Sequence, residues 1–255
     1  TFPLFKMSLK KIGETFCKKQ KLCGAIDFEN GEKFDKNNKL HRDYLRLDCE
    51  VLLEAIENLR KYEFAKSTGL KLTISSQALA HFRTNFLKEK IFHPPNSVKK
   101  FIRKSMAGGR TEIFKFSSQN GAIYDVNSMY PAIMSQENIP ITYLGPSKNE
   151  NEFGFHEIEA LVPKNTIFPI LWVRQNGRLI FPTGKIKGIY FSEEIKLAKE
   201  MGAIITFKKG HKFSARNDLF TDYISECFKM RSIDQGHSEM GKRLMNHLFG
   251  KFGQR

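Results

Sequence analysis

The sequence predicts an α+β protein of several domains, and three observations carry that expectation. Towards both ends, apolar residues recur at three- and four-residue steps, the spacing of helices with one buried face. The middle holds short alternating runs separated by Asn-Gly signals, the pattern of antiparallel strands and tight hairpins. The 255 residues are 40% hydrophobic, which suits a substantial core and two or more domains rather than a disordered tail.

Composition narrows the partners. The formal net charge of +15 predicts a polyanion. The four cysteines, Cys17, Cys23, Cys49 and Cys227, show no Cys-x-x-Cys spacing and no nearby histidine cluster. Neither a zinc site nor a disulfide frame is indicated, and a reducing intracellular compartment fits best. No apolar run approaches the roughly 20 residues that span a bilayer, so no membrane partner is expected. The chain starts at Thr1 and stops just after Gly250-Lys251-Phe252-Gly253, and both ends read as cut.

Leu9 to Phe16 reads as a short amphipathic helix, and Phe28 to Asn38 as a polar loop. From about Arg42 the pattern turns helical through Tyr44, Leu47, Val51, Leu52, Ala55, Ile56 and Leu59, with Gly69 as the stop. Ser75 to Lys90 reads as a helix with Leu79, Phe82, Phe86 and Leu87 on one side, broken at His93-Pro94-Pro95-Asn96. Val98 to Lys104 interleaves basic and apolar residues, as either an amphipathic surface segment or a contact to a DNA backbone.

Glu112 to Phe116 and Ala122 to Tyr124 read as partner strands about the turn Ser118-Gln119-Asn120-Gly121. Pro131 suits the first turn of a following helix. Asp125 therefore falls where a strand ends and turn N–H groups begin. An isolated Asp there is usually a cap, but it can equally hold a hard cation beside bound phosphate.

Pro140, Pro146 and the polar Ser147 to Glu152 mark a linker. Phe155 to Pro163 alternates as a strand, and Ile167 to Val173 and Arg178 to Phe181 flank Gln175-Asn176-Gly177 as a hairpin. Gly184-Lys185 lacks the preceding glycine that a phosphate loop needs. Ser192 is expected to cap a helix that Gly202 ends, and Asn217-Asp218 a helix to about Met230. After a turn at Asp234-Gln235-Gly236, a helix over Ser238 to Phe249 puts Lys242, Asn246 and Phe249 on one face. A cation, an amide and an aromatic on one stripe suit an incoming nucleotide, and Arg231 is a second phosphate candidate.

Two of these stretches carry a resemblance. Asp125-Val126-Asn127-Ser128-Met129-Tyr130-Pro131 resembles the first palm motif of family B DNA polymerases, and Lys242 to Gly250 resembles their fingers motif, Lys-x-x-x-Asn-Ser-x-Tyr-Gly. Gly108-Gly109-Arg110 resembles the Tyr-x-Gly-Gly region of the protein-primed branch, found in linear plasmids, some phages, adenoviruses and related mobile elements. Tyr44-x-x-x-Asp48 resembles the third motif of the family's 3′–5′ exonuclease. Met106 stands where a Tyr is usual, His247 where a Ser is usual, and Phe249 where a Tyr is usual.

The resemblance implies a palm and fingers fragment with a β-rich insertion, preceded by the C-terminal part of an RNase H-like exonuclease domain. Residues 1–66 would end the exonuclease, 67–143 hold a linker helix and the first half of the palm, 144–212 the insertion and 213–255 the fingers. Asp125 and the Val126 carbonyl would bind two Mg²⁺ ions, and Asp48 an exonuclease metal with Tyr44 orienting water. Ser128, Arg231, Lys242 and Asn246 would hold the dNTP, Tyr130 would exclude a 2′-hydroxyl, and Phe249 would stack. Gly108, Gly109, Arg110 and Gly250 would touch primer–template DNA. The implied partners are DNA, dNTPs and a terminal priming protein. The implied settings are a mitochondrial linear plasmid, a virus or a nuclear mobile element.

The other exonuclease carboxylates would lie before Thr1 and a second palm carboxylate motif after Arg255, so this stretch alone is not expected to polymerise. Two rivals are a non-catalytic nucleic-acid-binding relic of such an element and a reverse transcriptase. The Lys-x-x-x-Asn-x-x-Phe-Gly helix argues against the second.

Overall fold

The computed structural model describes residues 3–27, 29–117 and 120–252. They form helices and antiparallel strands in two compact units, as the alternation of helical and strand-like patterns predicts. The first unit joins residues 1–88, 128–135 and 218–255; the second joins 89–127 and 136–217. Among the described residues no helix is long and apolar enough to cross a membrane.

The first unit is helical. α1 (Leu9–Phe16) starts on Ser8, whose hydroxyl accepts from the Lys11 N–H. It is held to α2 (Lys39–Arg60) where Asn58 Nδ2 donates to the Phe16 carbonyl at 2.8 Å. Asn38 caps α2 by accepting from the Leu40 N–H at 2.9 Å. The chain turns at Lys61, so Gly69 (φ +66°) ends a separate short helix, α3 (Glu63–Thr68), rather than α2. α4 (Ile74–Asn85) starts on Thr73 and stops short of the expected Lys90. The reason is a packing turn: the Phe86 and Leu87 N–H groups both close on the Phe82 carbonyl at 3.0 Å, and the Phe86 ring swings edge-on against Tyr223, centroids 5.4 Å apart.

α6 (Met129–Gln136) takes Pro131 in its first turn, as expected. α8 (Thr221–Met230) begins after Phe220 with no side-chain cap, three residues beyond the expected Asp218. α9 (Gln235–Phe252) is longer than predicted because Asp234 caps it, accepting from the His237 N–H at 2.8 Å. α8 and α9 cross closely at Gly241, where a Cβ would lie 2.6 Å from the Cys227 carbonyl oxygen. Tyr223 spans that crossing and donates to the Leu244 carbonyl at 2.9 Å. Phe82 of α4 fills the other side, edge-on to Tyr223.

The second unit is built on a four-stranded antiparallel sheet. Helix α5 is Asn96–Arg103, and the strands are β1 (Ile139–Pro146), β2 (Gly154–Val162), β5 (Gly184–Phe191) and β6 (Ile204–Arg216) in the order β1-β6-β2-β5. β2 buries alternate residues Ile158, Ala160 and Val162 against α7 (Ser192–Glu200). β3 (Val173–Gln175) and β4 (Arg178–Ile180) pair across Asn176-Gly177, both at positive φ, the turn that the Asn-Gly signal predicts.

Three sequence expectations are corrected here. Residues Pro140 to Pro146 are a strand and not a linker; β1 is an edge strand, where proline costs no ladder bond. Ser192 is inside α7 and not its cap: its hydroxyl accepts from the Gly154 N–H, while Glu194 accepts from the Phe191 N–H at 2.9 Å. Glu112–Phe116 and Ala122–Tyr124 form no strands among the described residues, and Ser118 and Gln119 of their turn lie outside these. Phe116 is 97% exposed and Ile123 fully so, and a two-stranded hairpin with no face to pack on is marginal in water.

Two stability predictions follow from the helical unit. A methyl at Gly241 forces α8 and α9 apart, so Gly241→Ala lowers the urea midpoint by the equivalent of about 1–3 kcal/mol; an unchanged midpoint would show that the crossing yields easily. His81 is buried, and burial pushes its imidazole from 6.5 down to about 4. Its folded pKa is depressed, so the stability it contributes is complete above pH 6.5 and is lost as pH falls through 4. The loss is at most about 1.4 kcal/mol per pH unit. His81→Leu should flatten the acid limb of stability against pH, and an unchanged slope would assign the proton elsewhere.

Candidate nucleotide and nucleic-acid site

Lys242, Asn246 and Phe249 lie one and two turns apart on α9, and all three are exposed. The opposite face, with Met240, Leu244, Met245 and Leu248, is buried. The stripe predicted from the sequence is therefore the open side of a helix whose other side is fixed by packing. Gly250 follows with nothing within 4 Å of where a Cβ would stand, so packing within the chain does not require a glycine there. Arg231 caps the C-terminus of α8, with its guanidinium 5.5 Å from the centre of the Phe228 ring.

The first turn of α6 meets this helix. The Tyr130 ring stacks on Phe249 with centroids 4.6 Å apart and planes at 27°. Both rings keep large exposed surfaces, 39% and 48%, so a flat aromatic wall is left open to solvent. Ser128 stands before it at φ +55°, a left-handed conformation that costs a non-glycine residue energy. Its carbonyl accepts from the Ala132 N–H at 3.0 Å and starts the helix. Asp125 and Val126 are exposed and lie in neither helix nor strand, at the end of the first segment of the second unit.

A second cluster sits on α2. Tyr44 and Asp48 share a face, as their spacing predicts, and Lys21 joins them. Its Nζ donates to the Tyr44 hydroxyl at 2.9 Å and to Asp48 Oδ2 at 3.2 Å, and lies 4.7 Å from the Tyr44 ring centre. Desolvation pulls the Lys21 ammonium down, but the hydrogen bonds to Tyr44 and Asp48 outweigh it and hold its pKa above the ordinary lysine value. Asp48 Oδ1 is buried and has no hydrogen-bond partner among the described residues. Sequence reasoning missed Lys21 because it is far from the Tyr-x-x-x-Asp pair along the chain; a lone lysine in a basic loop gives no signal.

The residues around Gly108 form neither helix nor strand. Gly108 would meet nothing within 4 Å if it carried a Cβ and has no positive φ, so neither packing nor strain within the chain demands glycine. Arg110 is exposed yet bonded within the chain: Nε donates to Glu112 at 2.7 Å, and Nη1 to the Pro169 carbonyl at 2.7 Å.

Among the described residues no three His, Cys, Asp or Glu side chains gather into a group able to hold a metal ion. Asp125 and Asp48 can each offer one carboxylate. These residues fit part of a metal site and not a whole one.

The model of the family described as DNA polymerase type B, organellar and viral, matches residues 5–255. A "Probable DNA polymerase" of Neurospora intermedia is 31% identical over 277 aligned residues, covering 98% of this chain and 28% of the relative. One of Ascobolus immersus is 30% identical, covering 89% of this chain and 20% of the relative. The DNA polymerase of Bacillus phage phi29 is 25% identical over 96% of this chain and 46% of its own. The chain thus spans less than half the length of these relatives. A crystal structure of phi29 DNA polymerase superposes with a TM-score of 0.80 at 20% identity, covering 99% of this chain and 48% of that one. Its complex with primer–template DNA and incoming nucleotide superposes at 0.79 and 21% identity. That likeness concerns the fold, while the family model and the fungal relatives carry the assignment: these residues belong to the organellar and viral type B DNA polymerases.

Proposed function

We propose that the chain is part of a protein-primed DNA polymerase, in which it supplies the nucleotide-facing side of the polymerising site and one edge of a 3′–5′ proofreading site. The observation that carries this reading is the Tyr130–Phe249 stack. It joins two motifs distant in sequence into one exposed aromatic wall, with Lys242 and Asn246 along the same stripe. In this reading residues 1–66 end the exonuclease, 67–143 open the palm, 144–212 are the insertion and 213–255 the fingers.

The chemistry required of these residues is binding and orientation. Lys242 offers a point positive charge to a triphosphate, and Asn246 an amide to phosphate or to a base-pair edge. Phe249 offers a stacking face, and Tyr130 stands where a sugar bearing a 2′-hydroxyl would collide with its ring. Asp125 would give one carboxylate to the divalent ions that clamp the attacking 3′-oxygen and the leaving pyrophosphate when they are bound. A full ion-binding set would need carboxylates from outside these residues, so primer extension is proposed for the whole parent enzyme. Primer–template DNA, dNTPs and a terminal priming protein are its proposed partners.

At the proofreading edge, Asp48 Oδ1 is a buried acceptor with no donor among the described residues, which suits a cation ligand. Lys21 holds both the Tyr44 hydroxyl and Asp48 Oδ2, so one ammonium fixes the two groups that would orient water and metal.

Two experiments on the parent polymerase test these roles. Tyr130→Val should reduce the preference for dNTP over rNTP by about a hundredfold in single-nucleotide incorporation. An unchanged ratio would remove Tyr130 from sugar selection. Lys21→Ala and Asp48→Asn should each slow degradation of a single-stranded 3′ end by about a hundredfold. Full-rate degradation by either variant would leave the cluster a structural ion pair.

A further inference from the structure

The loop around Gly108 has no helix or strand to hold it, yet it is pinned at both sides. On one side, Arg174 of β3 donates from Nη2 to the Met106 carbonyl at 2.9 Å. On the other, Arg110 donates to the carbonyl of buried Pro169 at 2.7 Å, and its guanidinium lies 4.1 Å from the Phe181 ring centre. Glu112 accepts from the Nε of the same guanidinium and completes its coordination. Between the pins, Ala107 packs against the core that holds Trp172.

All these outside partners come from one stretch, Pro169 to Phe181, which contains the β3–β4 hairpin. Arg174 also lies 5.5 Å from the centre of the Trp172 ring. Trp172 in turn is fixed from both ends: its Nε1 donates to Glu194 at 3.3 Å, and its carbonyl accepts from the Tyr190 hydroxyl at 2.7 Å. The hairpin is thus rigid where it grips the loop. Gly108 and Gly109, between the pins, are exposed to approach from outside.

We propose that Arg110 and Arg174 are positioning residues, through which the β3–β4 hairpin sets the height and angle at which the Gly108–Gly109 backbone meets the DNA backbone. The proposal rests on the reading of that loop as a DNA contact. Arg110 then acts on DNA through the loop and not as a phosphate ligand. A planar fork that bonds a carbonyl and a carboxylate while lying over an aromatic ring has no equivalent in lysine.

Primer–template binding by the full-length parent enzyme distinguishes the roles, measured as Kd against salt concentration. Arg110→Lys and Arg174→Ala should each weaken binding about tenfold, the equivalent of one charge-assisted hydrogen bond. The slope of log Kd against log salt should stay as in the wild type, because no phosphate contact is lost, and the KM for dNTP should change less than about twofold. A slope lower by about 0.9 in Arg110→Ala, with Arg110→Lys restoring affinity, would make Arg110 a direct phosphate ligand and overturn the proposal. Unaltered affinity in both arginine variants would overturn it as well. Gly108→Val separates the underlying reading: if it binds as the wild type does, the loop is no DNA contact and both ideas fall. If only Gly108→Val loses affinity, the loop stands and the pins do not.

Discussion

The close crossing of α8 and α9 at Gly241 is the constraint on which the exposed stripe depends. Two helices that touch through a glycine share a short axial distance, and here a Cβ would meet the Cys227 carbonyl. Tyr223 locks the crossing by donating to the Leu244 carbonyl from a fully buried position. Because α9 cannot roll, Met240, Leu244, Met245 and Leu248 must face inward and Lys242, Asn246 and Phe249 must face out. The same packing lets the first turn of α6 reach Phe249, since Thr221 at the start of α8 donates to the Ser135 carbonyl at the end of α6. A chemistry-bearing face has thus been fixed by a crossing that carries no chemistry.

The excess of positive charge is not spread evenly in its use. On the open face of the four-stranded sheet, Glu157 and Glu159 pair with Lys187, Lys208 and Lys209. Those cations are partly answered within the protein, and exposed pairs of this kind add little stability. Lys21 and Arg110 are answered more fully, by two oxygens each and by an aromatic ring. The formal charge of +15 already subtracts these carboxylates, so the pairs do not lower the net charge; they fix which cations are held within the chain. Geometry separates the cations: Lys242 projects from an open stripe, whereas Arg110 bonds Glu112 and the Pro169 carbonyl within the chain.

The legible parts of the fold were those with local causes. The Asn176-Gly177 hairpin, the short α1 and the alternation of β2 follow from turn chemistry and periodicity within a few residues. β6 was not legible: its lysines at 208, 209 and 212 break the apolar alternation, and its identity as a strand comes from β1 and β2 pairing on either side. β1 was hidden by its prolines, which only an edge position makes harmless. At the candidate site, the α9 stripe could be read from spacing alone. Lys21 and Arg174 could not, because both act on residues remote in sequence.

The Asp125 to Pro131 motif divides between different physical regimes. Asp125 and Val126 belong to an exposed run that is neither helix nor strand, Asn127 and Ser128 form a turn, and Ser128 onward belongs to the helical unit. The break falls at Ser128, held at positive φ while its carbonyl starts α6. Among the described residues the Asp125 side of the motif has no strand ladder. The exposed Ile123, Tyr124 and Val126 beside it retain the β-prone, apolar character of a strand that gains stability only when a packed face covers it. The Tyr130–Phe249 wall is held by packing within the helical unit, whereas the run through Asp125 carries exposed apolar surface that only coverage would stabilise.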